Sequence, residues 1–144
     1  MRAEIKWRAK RFNKEGEAMD KRRAILLVVS LVVTFAVLRL YLYFSPDSDF
    51  NVGPYNIHHL FTGLLLITFC GIAVILFKGR TRLLDAATVG FGIGLSLALD
   101  EWVYLITTDG SNASYLLPIS FWGGLVMVAS ACLYIAILYL STRR

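Results

Sequence analysis

The chain is 144 residues long, the length of a single domain, but its composition differs from that of a soluble domain. Hydrophobic residues make up 57% and charged residues 17%, against roughly 45–50% and about 25% in ordinary globular chains. The mean hydropathy is +0.62 and the formal net charge is +5. These values exclude a soluble enzyme, a disordered protein and a small scaffold held by disulfides.

Four apolar runs follow a basic N-terminal segment, and each run is long enough to cross a bilayer. A hydrocarbon core about 30 Å thick requires roughly 20 helical residues, since each residue adds about 1.5 Å. The runs are residues 24–44, 57–77, 83–106 and 118–140. Because the interior of a bilayer has no water to satisfy backbone groups, each run is predicted to be a helix.

Polar, turn-forming links separate the runs. Residues 45–56 carry prolines, residues 78–82 form a short basic hinge, and residues 107–118 are rich in Thr, Asp, Ser and Gly. Pro54 is expected in the first turn of the second helix, where its missing N–H costs nothing. Short links favour antiparallel neighbours. The sequence therefore predicts an all-α polytopic membrane protein, with a four-transmembrane-helix up-down bundle over residues 24–144.

Basic residues are concentrated on one side of this predicted bundle. Of the fifteen Lys and Arg residues, nine lie in residues 1–23, three in residues 78–82 and two at the C terminus, whereas the links 45–56 and 107–118 have none. By the positive-inside rule, both termini are predicted to be cytoplasmic. The expected location is a bacterial or archaeal cytoplasmic membrane, that is, an inner membrane.

The N-terminal segment, residues 1–23, combines nine basic with four acidic side chains. Ile5, Ala9 and Phe12 share one face of a helix, a pattern that is typical of an amphipathic helix lying on an anionic leaflet. The alternative is a topology signal followed by a solvated tail. Since the membrane rule accounts for the basic charge, nucleic-acid binding is not expected.

Several ionisable residues lie inside the apolar runs or on the link just above them. A charged side chain at the centre of a membrane helix costs about 2.5–3.5 kcal/mol on insertion scales, so such residues are candidates for function. Counting residues along three helices places five candidates at a similar level near the outer surface, and a sixth candidate lies on the link above them. They are Arg39, His58, His59, Asp100, Glu101 and Asp109.

Two imidazoles and two carboxylates at one level could hold a metal ion. His58, His59, Asp100 and Glu101 have the side chains that bind zinc or another divalent first-row metal. A coordination position left open for water would support hydrolysis, with Glu101 or Asp100 as the catalytic base. The leading hypothesis is therefore a membrane-embedded, hydrolase-like site that binds a divalent metal or a polar lipid headgroup.

Arg39 and Asp109 are the predicted binding residues of that site, and Arg39 would hold an anionic headgroup or neutralise a developing charge. An alternative is a charge-neutralising network in which Arg39 pairs with Asp100 or Glu101. The protein would then be a non-catalytic structural or partner subunit of a membrane complex. A proton or ion transport component is a third hypothesis. The expected partners are the lipid bilayer and a second copy or another membrane protein.

The third run is expected to be the central packing helix. Gly92 and Ser96 form one small-residue stripe with Asp100, and Gly90 and Gly94 begin another, so that neighbouring helices can approach closely. Two of the candidates, His58 and His59, are adjacent in the chain, and so are Asp100 and Glu101. Successive helical residues point about 100° apart, so neither of these pairs can direct both side chains at the bundle axis. Each pair is expected to contribute one member to a common pocket or to straddle an edge of its helix.

Overall fold

The structure, a computed structural model, describes residues 20–45, 51–52, 55–56, 58–79 and 82–142. Its helices are α1 (Lys21–Phe44), α2 (His59–Leu76), α3 (Arg82–Thr107), α4 (Asn112–Tyr115) and α5 (Pro118–Ser141), and its strands are β1 (Asn51–Val52) and β2 (Tyr55–Asn56). The amphipathic helix predicted for the N-terminal segment lies outside the described residues, apart from the last four residues of that segment.

Among the described residues, four helices are long and apolar enough to cross a membrane, by length and composition. They are α1, α2, α3 and α5, with 24, 18, 26 and 24 residues. The predicted all-α architecture with four candidate spans is confirmed, and the helix ends agree with the apolar runs to within a few residues.

The second candidate span begins later than its sequence indicates. Strands β1 and β2 form an antiparallel hairpin in which Val52 is opposite Tyr55. Helix α2 then begins at His59, with His58 as its N-cap in an extended conformation. Pro54, which was expected in the first turn of this helix, lies outside the described residues, and the described helix begins five residues after it.

Helix α3 is the centre of the bundle, as predicted. In its most apolar window, 44% of the residues are buried, against 17% in α1, 6% in α2 and 11% in α5. Helices α1, α2 and α5 all pack against α3, and α1 also packs against α5. Leu31 and Phe35 of α1 meet Val128 of α5 in the buried apolar cluster of the described residues.

The small residues of α3 permit close approach on two of its faces. A Cβ atom at Gly63 of α2 would lie 2.6 Å from the carbonyl oxygen of Gly94, and a Cβ atom at Gly94 would lie 2.6 Å from the carbonyl oxygen of Gly63. On another face, the hydroxyl group of Ser30 occupies the space beside Gly92. Both predicted stripes therefore serve as helix contacts, one toward α2 and one toward α1.

Ion pairs at the two ends of the bundle show that α1 and α3 run parallel. Arg22, at the start of α1, lies 2.9 Å from a carboxylate oxygen of Asp85 in the first turn of α3. Arg39, near the end of α1, lies 2.7 Å from Asp100, near the end of α3. We call the end that holds Arg22 and Asp85 the basic end, and the end that holds Arg39 and Asp100 the cluster end. Helices α2 and α5 both begin at the cluster end, which gives the up-down arrangement.

Candidate functional site

Five of the six predicted site residues meet at the cluster end of the bundle. Together with two residues that the sequence did not single out, they form what we call the polar cluster: Arg39, His58, His59, Asp100, Glu101, Tyr115 and Ser120. All four candidate spans and the short helix α4 contribute to it. The prediction that imidazoles from the second span meet acids from the third agrees with this geometry.

Asp100 is fully buried and has three side-chain partners. Its Oδ1 atom accepts a hydrogen bond of 2.7 Å from Nε of Arg39. Its Oδ2 atom accepts a hydrogen bond from the hydroxyl group of Tyr115 and lies 3.2 Å from Nε2 of His59. A buried carboxylate is tolerated only when it is paired and hydrogen-bonded, and these partners meet that requirement.

Glu101 is 2% exposed and faces the start of α2. Its Oε1 atom lies 3.1 Å from Nδ1 of His58 and 3.2 Å from Nδ1 of His59. Its Oε2 atom accepts a hydrogen bond of 2.7 Å from the backbone N–H of Leu60. The first N–H groups of a helix have no partner within the helix, and the helix dipole favours a negative charge there. Glu101 of α3 therefore caps helix α2, whose own N-cap residue, His58, makes no side-chain capping bond.

Arg39 connects α1 to three other helices. Its Nε atom forms the ion pair with Asp100. Its two terminal nitrogens, Nη1 and Nη2, each lie 3.2 Å from Oγ of Ser120. Nη2 also donates a hydrogen bond of 2.9 Å to the carbonyl oxygen of Ser120. Nη1 donates a hydrogen bond of 3.3 Å to the carbonyl oxygen of Tyr115. The guanidinium carbon lies 4.2 Å from the centre of the Tyr115 ring. The planar fork of arginine donors suits such a junction.

The two adjacent pairs enter the cluster in different ways. Asp100 and Glu101 straddle an edge of α3, because Asp100 contacts α1, α4 and the His59 side chain, while Glu101 contacts the backbone of α2. His58 has φ −60° and ψ 143°, so it precedes the helix that His59 begins. The 100° helical separation does not apply to this pair, and both imidazoles reach Glu101.

Tyr115 and Ser120 are the members that the sequence analysis missed. Both are buried, and both belong to the segment between the third and fourth spans or to the first turn of the fourth span. Burial, followed by the neighbouring carboxylate of Asp100, raises the pKa of Tyr115 well above its ordinary value, so the phenol stays protonated and donates. The residue types alone carry no signal for this role, since Tyr and Ser are common near helix ends.

Asp109 is the predicted site residue that the structure places elsewhere. Its Oδ1 atom accepts hydrogen bonds from the backbone N–H and the hydroxyl group of Ser111, at 3.0 and 2.8 Å. The hydrogen bond from the backbone of Ser111, followed by that from its side chain, lowers the pKa of Asp109 below its ordinary value. In the part of the chain that the structure describes, Asp109 thus stabilises its own loop.

The metal prediction receives no support from the geometry. Within the described ranges, no group of three or more His, Cys, Asp or Glu side chains is arranged so that it could hold a metal ion. The ring nitrogens of His58 and His59 lie 3.1–3.2 Å from carboxylate oxygens, which is a hydrogen-bonding distance. Metal binding by these residues stays a prediction.

Comparisons with protein families, with curated proteins and with solved structures found no match for this chain. The class of protein is therefore defined by its fold and its site. The chain has four candidate membrane helices, and a buried cluster of Arg, His, Asp and Glu side chains lies between them.

Proposed function

We propose that this protein is a non-catalytic integral membrane protein that serves as a structural or partner subunit, and that the polar cluster is the clamp that holds its helices together. One observation carries the proposal. All four carboxylate oxygens of Asp100 and Glu101 are engaged by protein groups, which come from α1, α4 and the start of α2. In an apolar environment such pairing offsets the cost of burying the charges.

The same geometry argues against Asp100 or Glu101 as a general base. A base must reach the proton of a substrate directly or through one water. Asp100 and Glu101 are 0% and 2% exposed, and their oxygens already accept hydrogen bonds.

The surface of the bundle supports the role of a subunit. Helix α2 packs against α3 and leaves most of its apolar surface uncovered, and α1 and α5 also expose long apolar faces. In a bilayer these faces meet lipid or the helices of a neighbouring protein. A clamp inside the bundle leaves its outer faces free for such contacts.

We also propose that the protein lies in a cytoplasmic membrane with both termini in the cytoplasm. Described Lys and Arg residues gather at the basic end, namely Lys21, Arg22, Arg23, Lys78 and Arg82. The links at the cluster end, residues 45–56 and 107–118, contain no Lys or Arg in the sequence. This asymmetry follows the positive-inside rule.

A double-mutant cycle on Arg39 and Asp100 tests the clamp. Arg39→Met alone leaves the buried carboxylate without its cation, and Asp100→Asn alone leaves the guanidinium without its anion. We expect each single variant to lower the free energy of unfolding in detergent by about 3–5 kcal/mol, because one buried charge is left uncompensated. The double variant should lose less than the sum of the two single variants.

The pair of Arg22 and Asp85 is a matched control, because it joins the same two helices at the opposite end. The Arg22 side chain is 66% exposed, so Arg22→Met should cost only about 0–1 kcal/mol. Equal effects of Arg39→Met and Arg22→Met would contradict the clamp.

The subunit role has a separate test. The protein is extracted gently from its own membrane, and the mass of its protein part, without bound detergent, is expected to exceed the monomer mass of 16.2 kDa. A monomer alone would contradict that role.

The second candidate function is the binding of a divalent metal, which would require the imidazoles and Glu101 to move from their present hydrogen-bonding distances. Nδ1 atoms of both His58 and His59 converge on one oxygen of Glu101. The two imidazoles are 25% and 20% exposed, so they can be reached from the cluster end. Binding of a lipid headgroup by Arg39 has less support, because the guanidinium already contacts Asp100, Tyr115 and Ser120.

A further inference from the structure

An apolar groove lies between α1 and α5 at the basic end, away from the polar cluster. Its volume is about 290 Å³, close to the lower end of the roughly 300–1,000 Å³ typical of ligand sites. Its walls come from both helices and include Ala24, Ile25, Val28, Ile135 and Ala136. Lys21 and Tyr139 lie at the end of the groove that is nearest the helix termini.

The groove exists because the side chains between α1 and α5 are large toward one end of the contact and small toward the other. Toward the cluster end, Phe35 of α1 and Val128 of α5 belong to a buried apolar cluster that closes the space between the helices. Toward the basic end, the small side chains of Ala24 and Ala136 leave the space open. Ile25 is 50% exposed there, so the groove opens toward the surroundings of the bundle.

We propose that this groove binds one acyl chain of an anionic phospholipid whose phosphate contacts Lys21. From Lys21 to Val29 the groove extends over eight helical steps of α1, which is about 12 Å at helical rise and therefore a membrane depth reached by acyl carbons. The aliphatic walls match an acyl chain. The exposed ammonium group of Lys21 and the other basic residues of this end match a negatively charged headgroup.

The size of the groove favours a lipid chain over a second copy of the protein. A helix with its side chains is about 10–12 Å across, too wide to enter a groove of about 290 Å³ between two packed helices. A single acyl chain is narrow and flexible enough to enter. The proposal rests on the membrane location of the protein and does not depend on the clamp.

Native mass spectrometry of the full-length protein tests the site directly. The protein, in mild detergent, is offered phosphatidylglycerol and phosphatidylcholine with the same acyl chains in equal amounts. We expect one bound phosphatidylglycerol to be retained in preference to phosphatidylcholine. Lys21→Ala should weaken this retention about fivefold, the effect of one basic side chain near an anionic headgroup. Lys78→Ala is the matched control, because Lys78 is exposed at the same end but does not line the groove, and it should leave retention unchanged.

Filling the groove tests the acyl chain itself. Ala136→Phe should abolish the retention of both lipids, whereas Ala129→Phe should not, since Ala129 is exposed on the same helix outside the groove. Circular dichroism and an unfolding curve establish that each variant is folded.

Three outcomes would overturn the proposal. The first is equal retention of the two lipids by the wild-type protein, a comparison that needs no variant. The second is a folded Ala136→Phe protein that binds lipid as the wild type does. The third is a dimer that carries no phosphatidylglycerol and loses its partner in Ala136→Phe, which would assign the groove to a second copy. Since the cycle on Arg39 and Asp100 measures stability alone, its failure would leave these results unaffected.

Discussion

Asp100 and Glu101 are adjacent in the chain, yet they serve different neighbours. They share His59, but otherwise Asp100 receives Arg39 and Tyr115, whereas Glu101 receives His58 and the first turn of α2. The backbone N–H of Leu60 is the group that gives Glu101 a clear structural role, because an unpaired N–H in an apolar environment is costly. Two adjacent acids near the end of α3 therefore have separate structural roles, one toward α1 and one toward the start of α2.

Metal analysis of the purified full-length protein is the residue-scale test of the two candidate functions. We expect no stoichiometric zinc, because each imidazole already has a carboxylate partner at hydrogen-bonding distance. Glu101→Ala should lower the free energy of unfolding by about 1–3 kcal/mol through the loss of the acceptor for Leu60. Glu101→Gln, which keeps an acceptor oxygen, should cost less.

Bound metal would reverse this interpretation. One zinc ion per chain in the wild type, lost in both His58→Ala and Glu101→Gln, would support the metal site and sink the purely structural assignment. A metal content that is the same in wild type and variants would instead reflect binding elsewhere.

At the scale of elements, the contact between α2 and α3 depends on glycine. A Cβ atom at Gly63 would lie 2.6 Å from the carbonyl oxygen of Gly94 and 2.9 Å from the backbone nitrogen of Ala98. Backbone atoms cannot yield as a flexible side chain can, so an added methyl group must push the helices apart. Because α2 packs mainly on α3, this contact also determines how the imidazoles reach the acids.

Gly63→Ala is therefore expected to destabilise the protein by about 1–3 kcal/mol, the usual cost of overpacking. Gly71→Ala on the same helix is the control, because its Cβ atom would meet only the Phe91 side chain, at 3.4 Å. Unfolding in a denaturing detergent measures both variants. If Gly71→Ala cost as much as Gly63→Ala, helix propensity rather than close backbone approach would be limiting, and this account of the interface would be wrong.

At the scale of the whole molecule, the up-down arrangement puts the polar cluster and the basic residues at opposite ends. Among the described residues, five of the six Lys and Arg residues lie at the basic end, and Arg39 lies at the cluster end. The protein is therefore electrically asymmetric along the direction in which its helices run. Such asymmetry orients membrane proteins during insertion, because basic segments are retained in the cytoplasm.

Cysteine labelling of intact cells checks this orientation. In a background without Cys70 and Cys132, a single cysteine at Asn112 should react with a membrane-impermeant reagent added outside. A single cysteine at Lys78 should react only after the membrane is opened. The reverse pattern would overturn the proposed orientation while leaving the fold and the polar cluster unchanged.

Much of this architecture was predictable from the sequence. The four candidate spans follow from long apolar runs, and the central position of α3 follows from its glycine and serine stripes. The level of Arg39, His58 and Asp100 follows from counting residues along helices. Two local features were not predictable: α2 begins only at His59, after a link that pairs as strands, and Asp109 bonds to its own loop.

The amino-acid sequence alone determined that the chain has four membrane-spanning candidates and that its candidate site residues lie near one end of them. Hydropathy and charge are properties of local stretches of sequence, so they can be assessed without knowing which segments contact each other. Only the tertiary structure decided that Asp100 pairs with Arg39, that Glu101 caps α2, and that Tyr115 and Ser120 complete the cluster. Those contacts depend on how each helix is rotated about its axis and on where it begins, and both are set by packing between segments far apart in the chain.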